Sequence, residues 1–167
     1  VMKYKPRNPK DSLFKGTTLN LALNGLLIGI LTLAAFIIGA KYYSGDLNLF
    51  PLFPSGLKPD ALEHAQTMAF VVLSCSQLVH SLNMRNEKKS IFQIGLFSNK
   101  YLIGSIILGL MLQTFIITIP PLARAFSVHA LNMQDWGFVT LLSLMPLILN
   151  EIVKIFKRMS SKAQTIK

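Results

Sequence analysis

The chain has 167 residues, of which 51% are hydrophobic and only 14% charged, with a mean hydropathy of +0.48. A soluble domain of this length needs more polar surface than that, so the composition excludes an ordinary water-soluble globule. The formal net charge is +10, but the basic residues sit in clusters between apolar runs, which argues against nucleic acid as the partner. A single cysteine, Cys75, excludes a disulfide framework or zinc knuckle within one chain.

Residues 1–17 read as a basic, proline-punctuated connector. Lys3, Lys5, Arg7, Lys10 and Lys15 stand against Asp11 alone, and Pro6 and Pro9 disfavour a continuous helix. The opening at Val1, with no short apolar signal region behind a basic flank, is expected of a segment of a longer polypeptide. The first apolar run predicts a membrane span over about 18–40. Asn20 and Asn24 lie one turn apart at its entrance. Gly25 and Gly29 form a G-x-x-x-G, a spacing that lets two helix backbones approach closely, and they read as a packing face. The loop that follows carries Pro51, Pro54 and Pro59, with Tyr42 and Tyr43 read as interface anchors at the span's end.

The second span, over about 61–83, is the most informative. Pro59 marks its start, and Asp60 is expected to cap the first turn with Glu63 as its reciprocal partner. Ser74, Gln77 and Ser81, with His80 beside them, fall within about one helical face. Polar side chains in hydrocarbon are costly unless they face protein or a wet cavity, so this stripe must look inward. A glutamine oxygen can help coordinate a cation, and its amide can bond across a helix interface. The residues alone leave both roles of Gln77 open. His80 reads as a satisfied interfacial histidine and Cys75 as packing.

A short basic loop leads to the third span, about 101–119. There Ser105 and Gly109 form another small-x-x-x-small pair, and Gln113 and Thr114 are expected to bond to a neighbouring helix. Pro120-Pro121 ends it. The fourth span, about 136–157, opens on Trp136 as an interface anchor and is expected to kink at Pro146. Glu151 and Lys154, three apart, are expected to pair on the helix surface. Residues 158–167 form a basic tail.

Four spans put both termini and the middle loop on one side. That side holds 14 Lys and Arg, the other 3, and the excess marks the cytoplasm. The sequence therefore predicts an all-α, multi-pass integral membrane protein. Its single transmembrane domain is a bundle of four helices with both ends cytoplasmic, and its placement is the plasma membrane. The lipid bilayer is its partner; nucleic acid is not. No phosphate-binding glycine loop, H-E-x-x-H or G-x-S-x-G occurs, and all seven acids lie in loops or at span ends. His64 and His80 are ~24 Å apart along one helix, too far to share a metal. No cofactor and no catalytic motif are expected in this chain.

Several stretches, in order, resemble the C-terminal membrane region of P-type cation-transporting ATPases of the calcium-pump and sodium-pump branch. They are Met2-Lys3-x-x-Pro6-Arg7-x-Pro9-Lys10, then Gln77-Leu78-Val79-His80-Ser81-Leu82-Asn83. Ser90-Ile91-Phe92-Gln93-x-Gly95-x-x-x-Asn99-Lys100, Pro120-Pro121-Leu122 and Ala130-Leu131-Asn132 with Trp136 follow. Pro146 with Asn150-Glu151-Ile152-Val153-Lys154 closes the series. The resemblance implies that the spans are helices seven to ten of such a pump. They would brace the transport helices, while the phosphorylated aspartate, the nucleotide site and the main ion-binding helices lie elsewhere in the parent. Mg-ATP and a transported cation, calcium first, would then belong to the parent. The remaining transmembrane helices and cytoplasmic domains would be partners. In two-site calcium pumps the eighth helix supplies a glutamate ligand, and Gln77 occupies the matching position. A neutral amide there departs from that pattern and suits a one-calcium pump, although sodium and potassium pumps also carry Gln near this point. A second class of reading is a self-contained four-span transporter or accessory subunit, with Gly25/Gly29 and Ser105/Gly109 as homo-oligomer faces.

Overall fold

The structure is a computed structural model that describes residues 18–45, 57–85 and 90–165. The connector with Pro6 and Pro9, the loop prolines Pro51 and Pro54, and the basic pair Lys88 and Lys89 lie outside the described residues, as do the side chains of the tail. Among the described residues the chain is all helix: α1 (Thr18–Ser44), α2 (Pro59–Asn83), the short α3 (Ile91–Ile94), α4 (Lys100–Thr118), α5 (Pro120–Ala125) and α6 (Met133–Thr165), with a 3-10 turn at Leu96–Ser98. Three of these, α1, α4 and the stretch Met133–Phe156 of α6, are long and apolar enough to cross a membrane. At 25 residues α2 has the length. Its polar residues hold it below that level of apolarity.

That difference matches where α2 sits. It is the central helix, packed on α1 along one side and α6 along another, while α4 touches it more lightly. The main core joins Leu31 and Ala35 of α1, Met68, Val71, Val72 and Cys75 of α2, Ile117 of α4 and Val139 of α6. A smaller cluster of Leu82, Ile91 and Ile106 closes the end nearest α3. The outer surfaces of α1, α4 and α6 expose Leu26, Ile30, Leu108, Leu112 and Leu141, as lipid-facing surfaces do.

The tight helix crossing differs from the expected one. A Cβ added at Gly25 or Gly29 would meet nothing within 4 Å, so that face packs against no other helix among the described residues. The close approach is at Gly39, where a Cβ would lie 2.9 Å from Ala65 Cα and 2.9 Å from Met68 Sδ. Gly39 on α1 against Ala65 on α2 is the small pair that lets these backbones meet, and the fully buried Ala35 lies one turn away on α1. Gly109 also serves as expected, since a Cβ there would stand 2.9 Å from Leu78 Cδ1.

The ends of the helices carry further differences. Lys58 occupies the cap position of α2 in an extended conformation without a side-chain bond, and Pro59 is the first helical residue. Proline's fixed φ suits that position, which moves Asp60 inside the first turn rather than onto the cap. Glu63 pairs with His129 instead, at 3.0 Å. After α4 ends, Pro120-Pro121 opens a new helix. Helix α6 starts three residues before Trp136, with the Asn132 N–H donating to Asp135 Oδ2 at 2.8 Å, and it runs on through Pro146. Thr114 bonds back to Leu110 O in its own helix rather than to a neighbour, and Gln113 is buried with its Nε2 unpartnered.

Candidate functional site

Ser74, Gln77 and Ser81 line one groove with Leu78 of α2 and Leu102, Ser105 and Ile106 of α4. The groove encloses about 540 Å³ and is wide open on its outer side. Two of its hydroxyls are satisfied locally: Ser81 Oγ donates to Leu78 O at 2.6 Å and Ser105 Oγ to Leu102 O at 2.8 Å. Gln77 is exposed at its centre on a helix whose opposite face is the driest part of the molecule. An amide so placed offers a carbonyl oxygen and two N–H donors to whatever covers the groove.

The stripe expected on one face is divided in two by the structure. His80 leaves the groove and lines a second, inner cleft with Asn20 and Asn24 of α1, Asn83 of α2 and Asn150 and Lys154 of α6. A chain of amides locks three helices there. Asn24 Nδ2 donates to Asn20 O at 2.8 Å, and Asn24 Oδ1 accepts from Asn150 Nδ2 at 2.7 Å. The Pro146 carbonyl accepts from both Asn150 Nδ2 (2.7 Å) and Asn83 Nδ2 (3.3 Å). Proline thus interrupts the helical ladder where side-chain amides from two helices converge on one carbonyl.

Glu151 also does more than the surface pairing expected of it. Its carboxylate meets Lys154 Nζ at 3.1 Å, but both side chains are buried. It also accepts from Ser90 Oγ and from the Ile91 N–H, the latter at 3.2 Å, and so ties the start of α3 to α6.

At the opposite end of the bundle a polar clasp joins α1, α2 and the segment before α6. Tyr43 OH donates to Asp135 Oδ2 at 2.6 Å and accepts from Asn132 Nδ2 at 3.2 Å, while its ring stacks on His64 with centroids 3.9 Å apart. His129 N–H donates to Thr67 Oγ1 at 2.9 Å. Tyr43 is therefore a structural tie rather than the interface anchor expected from its place at the end of the span. Among the described residues no group of three or more His, Cys, Asp or Glu converges to hold a metal ion.

The comparisons with known proteins agree with this arrangement. A family model described as "Cation transporting ATPase, C-terminus" matches residues 1–156. "Calcium-transporting ATPase 1" of Bacillus cereus is 62% identical over 158 residues, which cover 95% of this chain and 18% of that protein. "Calcium-transporting ATPase" of Bacillus subtilis is 35% identical over 150 residues, 89% of this chain and 15% of the relative. An endoplasmic reticulum-type "Calcium-transporting ATPase 3" of Arabidopsis thaliana is 31% identical over 173 residues, 95% of this chain and 17% of the relative. The chain thus spans less than a fifth of the length of these relatives. With a family match running through all the long helices, this chain belongs to the C-terminal region of the P-type cation-transporting ATPases.

Proposed function

We propose that the chain is the C-terminal membrane segment of a calcium-transporting P-type ATPase, in which it braces the ion-transport helices. The relatives named as calcium-transporting ATPases support the ion, and the family match supports the role. In this reading α1, α2, α4 and α6 are four spans, and both ends lie in the cytoplasm beside the plasma membrane. The connector 1–17 and the tail 158–167 are basic flanks. ATP hydrolysis with Mg-ATP, the phosphorylated aspartate and the ion-binding helices belong to the rest of the parent. Gln77 stands at the edge of the cation site, with Ser74 and Ser81 on the face that meets those helices. Gly25 and Gly29 offer them a second close-packing face. The family match does not favour the self-contained four-span carrier.

The observation that carries this reading is the open groove. A helix that needs protein around its polar residues leaves Gln77 exposed, with Ser74 and Ser81 half-buried on either side of it in the same open groove. The test is calcium-dependent phosphorylation of the full-length protein by ATP. Gln77→Ala is expected to weaken apparent calcium affinity by about tenfold, the effect of losing one ligand-strength hydrogen-bonding group. Cys75→Ala, in the dry core, is expected to leave it unchanged. Unaltered calcium dependence in the Gln77 variant would reduce that residue to packing.

A further inference from the structure

The inner cleft plays no part in the reading above. It holds about 190 Å³ between the first turns of α1, the last turn of α2 and residues 149–154 of α6. One water molecule requires only ~10–15 Å³, so the space fits a polyatomic group. Hydrogen-bond accounting says what kind. The Asn24 amide and the Asn150 amide nitrogen are committed to the helix lock. Asn83 is only 5% exposed, and its Oδ1 has no hydrogen-bond partner among the described residues. Both ring nitrogens of His80 are likewise buried and have no hydrogen-bond partner among the described residues. The Lys154 ammonium, the one formal charge that the described residues place in the lining, meets Glu151 and keeps further donor capacity.

An ammonium and a ring N–H call for an anionic oxygen, and a buried amide oxygen calls for a donor. The remaining wall is apolar: Leu21, Leu23, Leu27, Leu149 and Val153. Leu21, Leu23 and Val153 are about half exposed, so the wall continues onto the outer surface of α1 and α6. A polar end with an apolar exit, at the basic end of a membrane bundle, is the shape of a lipid headgroup site.

We propose that this cleft holds the headgroup of one membrane phospholipid, with its phosphate at Lys154 and His80 and a headgroup N–H or O–H on Asn83 Oδ1. The acyl chains follow Leu21, Leu23 and Val153. Phosphatidylethanolamine and phosphatidylglycerol supply the required donor. Phosphatidylcholine carries none and would leave the Asn83 oxygen buried and unsatisfied. A soluble phosphate shares the anionic contact but not the apolar wall. The assignment rests on the bilayer placement proposed above and is independent of the transported ion.

The test is native mass spectrometry of the full-length protein in mild detergent, with separate arms for the three lipids and for inorganic phosphate. The wild type is expected to retain one phosphatidylethanolamine or phosphatidylglycerol and about tenfold less phosphatidylcholine, the effect of one lost hydrogen bond. His80→Phe is expected to lose retention by a similar factor. Leu23→Trp, on the half-exposed rim, blocks the cleft without disturbing the core and is expected to do the same while unfolding at the wild-type temperature. Equal retention of all three lipids, or undiminished retention in Leu23→Trp, would overturn the assignment. So would phosphate binding without lipid retention, which would make this a soluble anion site. A protein that fails to enter membranes refutes the bilayer placement; one that enters them and retains no lipid refutes the cleft alone.

Discussion

The two faces of α2 are built on opposite principles. Toward α1 and α6, Met68, Val71, Val72 and Cys75 are buried against Leu31, Ala35 and Val139, and polar ties close both ends. Toward α4, Ser74, Gln77 and Ser81 stand in a groove that α4 only partly covers. The closed face fixes where the helix sits; in the function proposed above, the open face presents its polar groups to helices of the parent. The proposed bracing role needs both, because a groove on a mobile helix cannot hold a side chain to the tolerance that ion recognition requires.

Mutations should separate the faces by what they disturb. The largest effect is expected at Glu151. Glu151→Ala leaves the buried Lys154 ammonium and the Ile91 N–H without their partner, a loss of about 3 kcal/mol in thermal unfolding of the detergent-purified protein. Replacing both residues together, Glu151→Leu with Lys154→Met, should recover most of it. Gly39→Ala comes next, at about 2 kcal/mol, because the new methyl would meet the Ala65 backbone, which cannot swing aside as the Met68 thioether beside it can. Gly29→Ala, with open space around it, should stay within about 0.5 kcal/mol unless helices beyond this chain use that face. Tyr43→Phe removes the tie to Asp135 and Asn132 but keeps the ring on His64, for about 1 kcal/mol. A Gly39 variant as stable as its parent would show that the α1–α2 crossing is looser than this.

Local pattern made the open face legible. Ser74, Gln77 and Ser81 recur at the helical period, which puts them on one face. The spacing says nothing of what covers that face, and within the described residues Gln77 is exposed rather than turned inward. His80 did not belong with them, since it lies about 100° around the helix from Ser81 and so reaches the other cleft. The Asn132–Asp135 contact at the start of α6 spans three residues and is a local signal in the sequence, a better marker of the helix start than Trp136. Choosing Gly39 over Gly25 and Gly29 needs knowledge of which face of α1 turns to α2. The partner of Gly39 in α2 is Ala65, one small residue among many in these helices. The pairing of Glu63 with His129, and of Asn24 with Asn150, joins residues far apart in the chain, and no local period announces such contacts.

The smallest expected effect is the most discriminating. Gln77 is exposed on the open face, so Gln77→Ala should shift the unfolding of the protein by less than about 0.5 kcal/mol. The same variant is expected to lose about tenfold in calcium affinity, a difference that a merely structural glutamine could not produce. If stability and calcium dependence fall together, the amide is binding another helix and the groove is an interface. If calcium dependence falls alone, the open face of α2 touches the ion, and the closed face exists to hold it there.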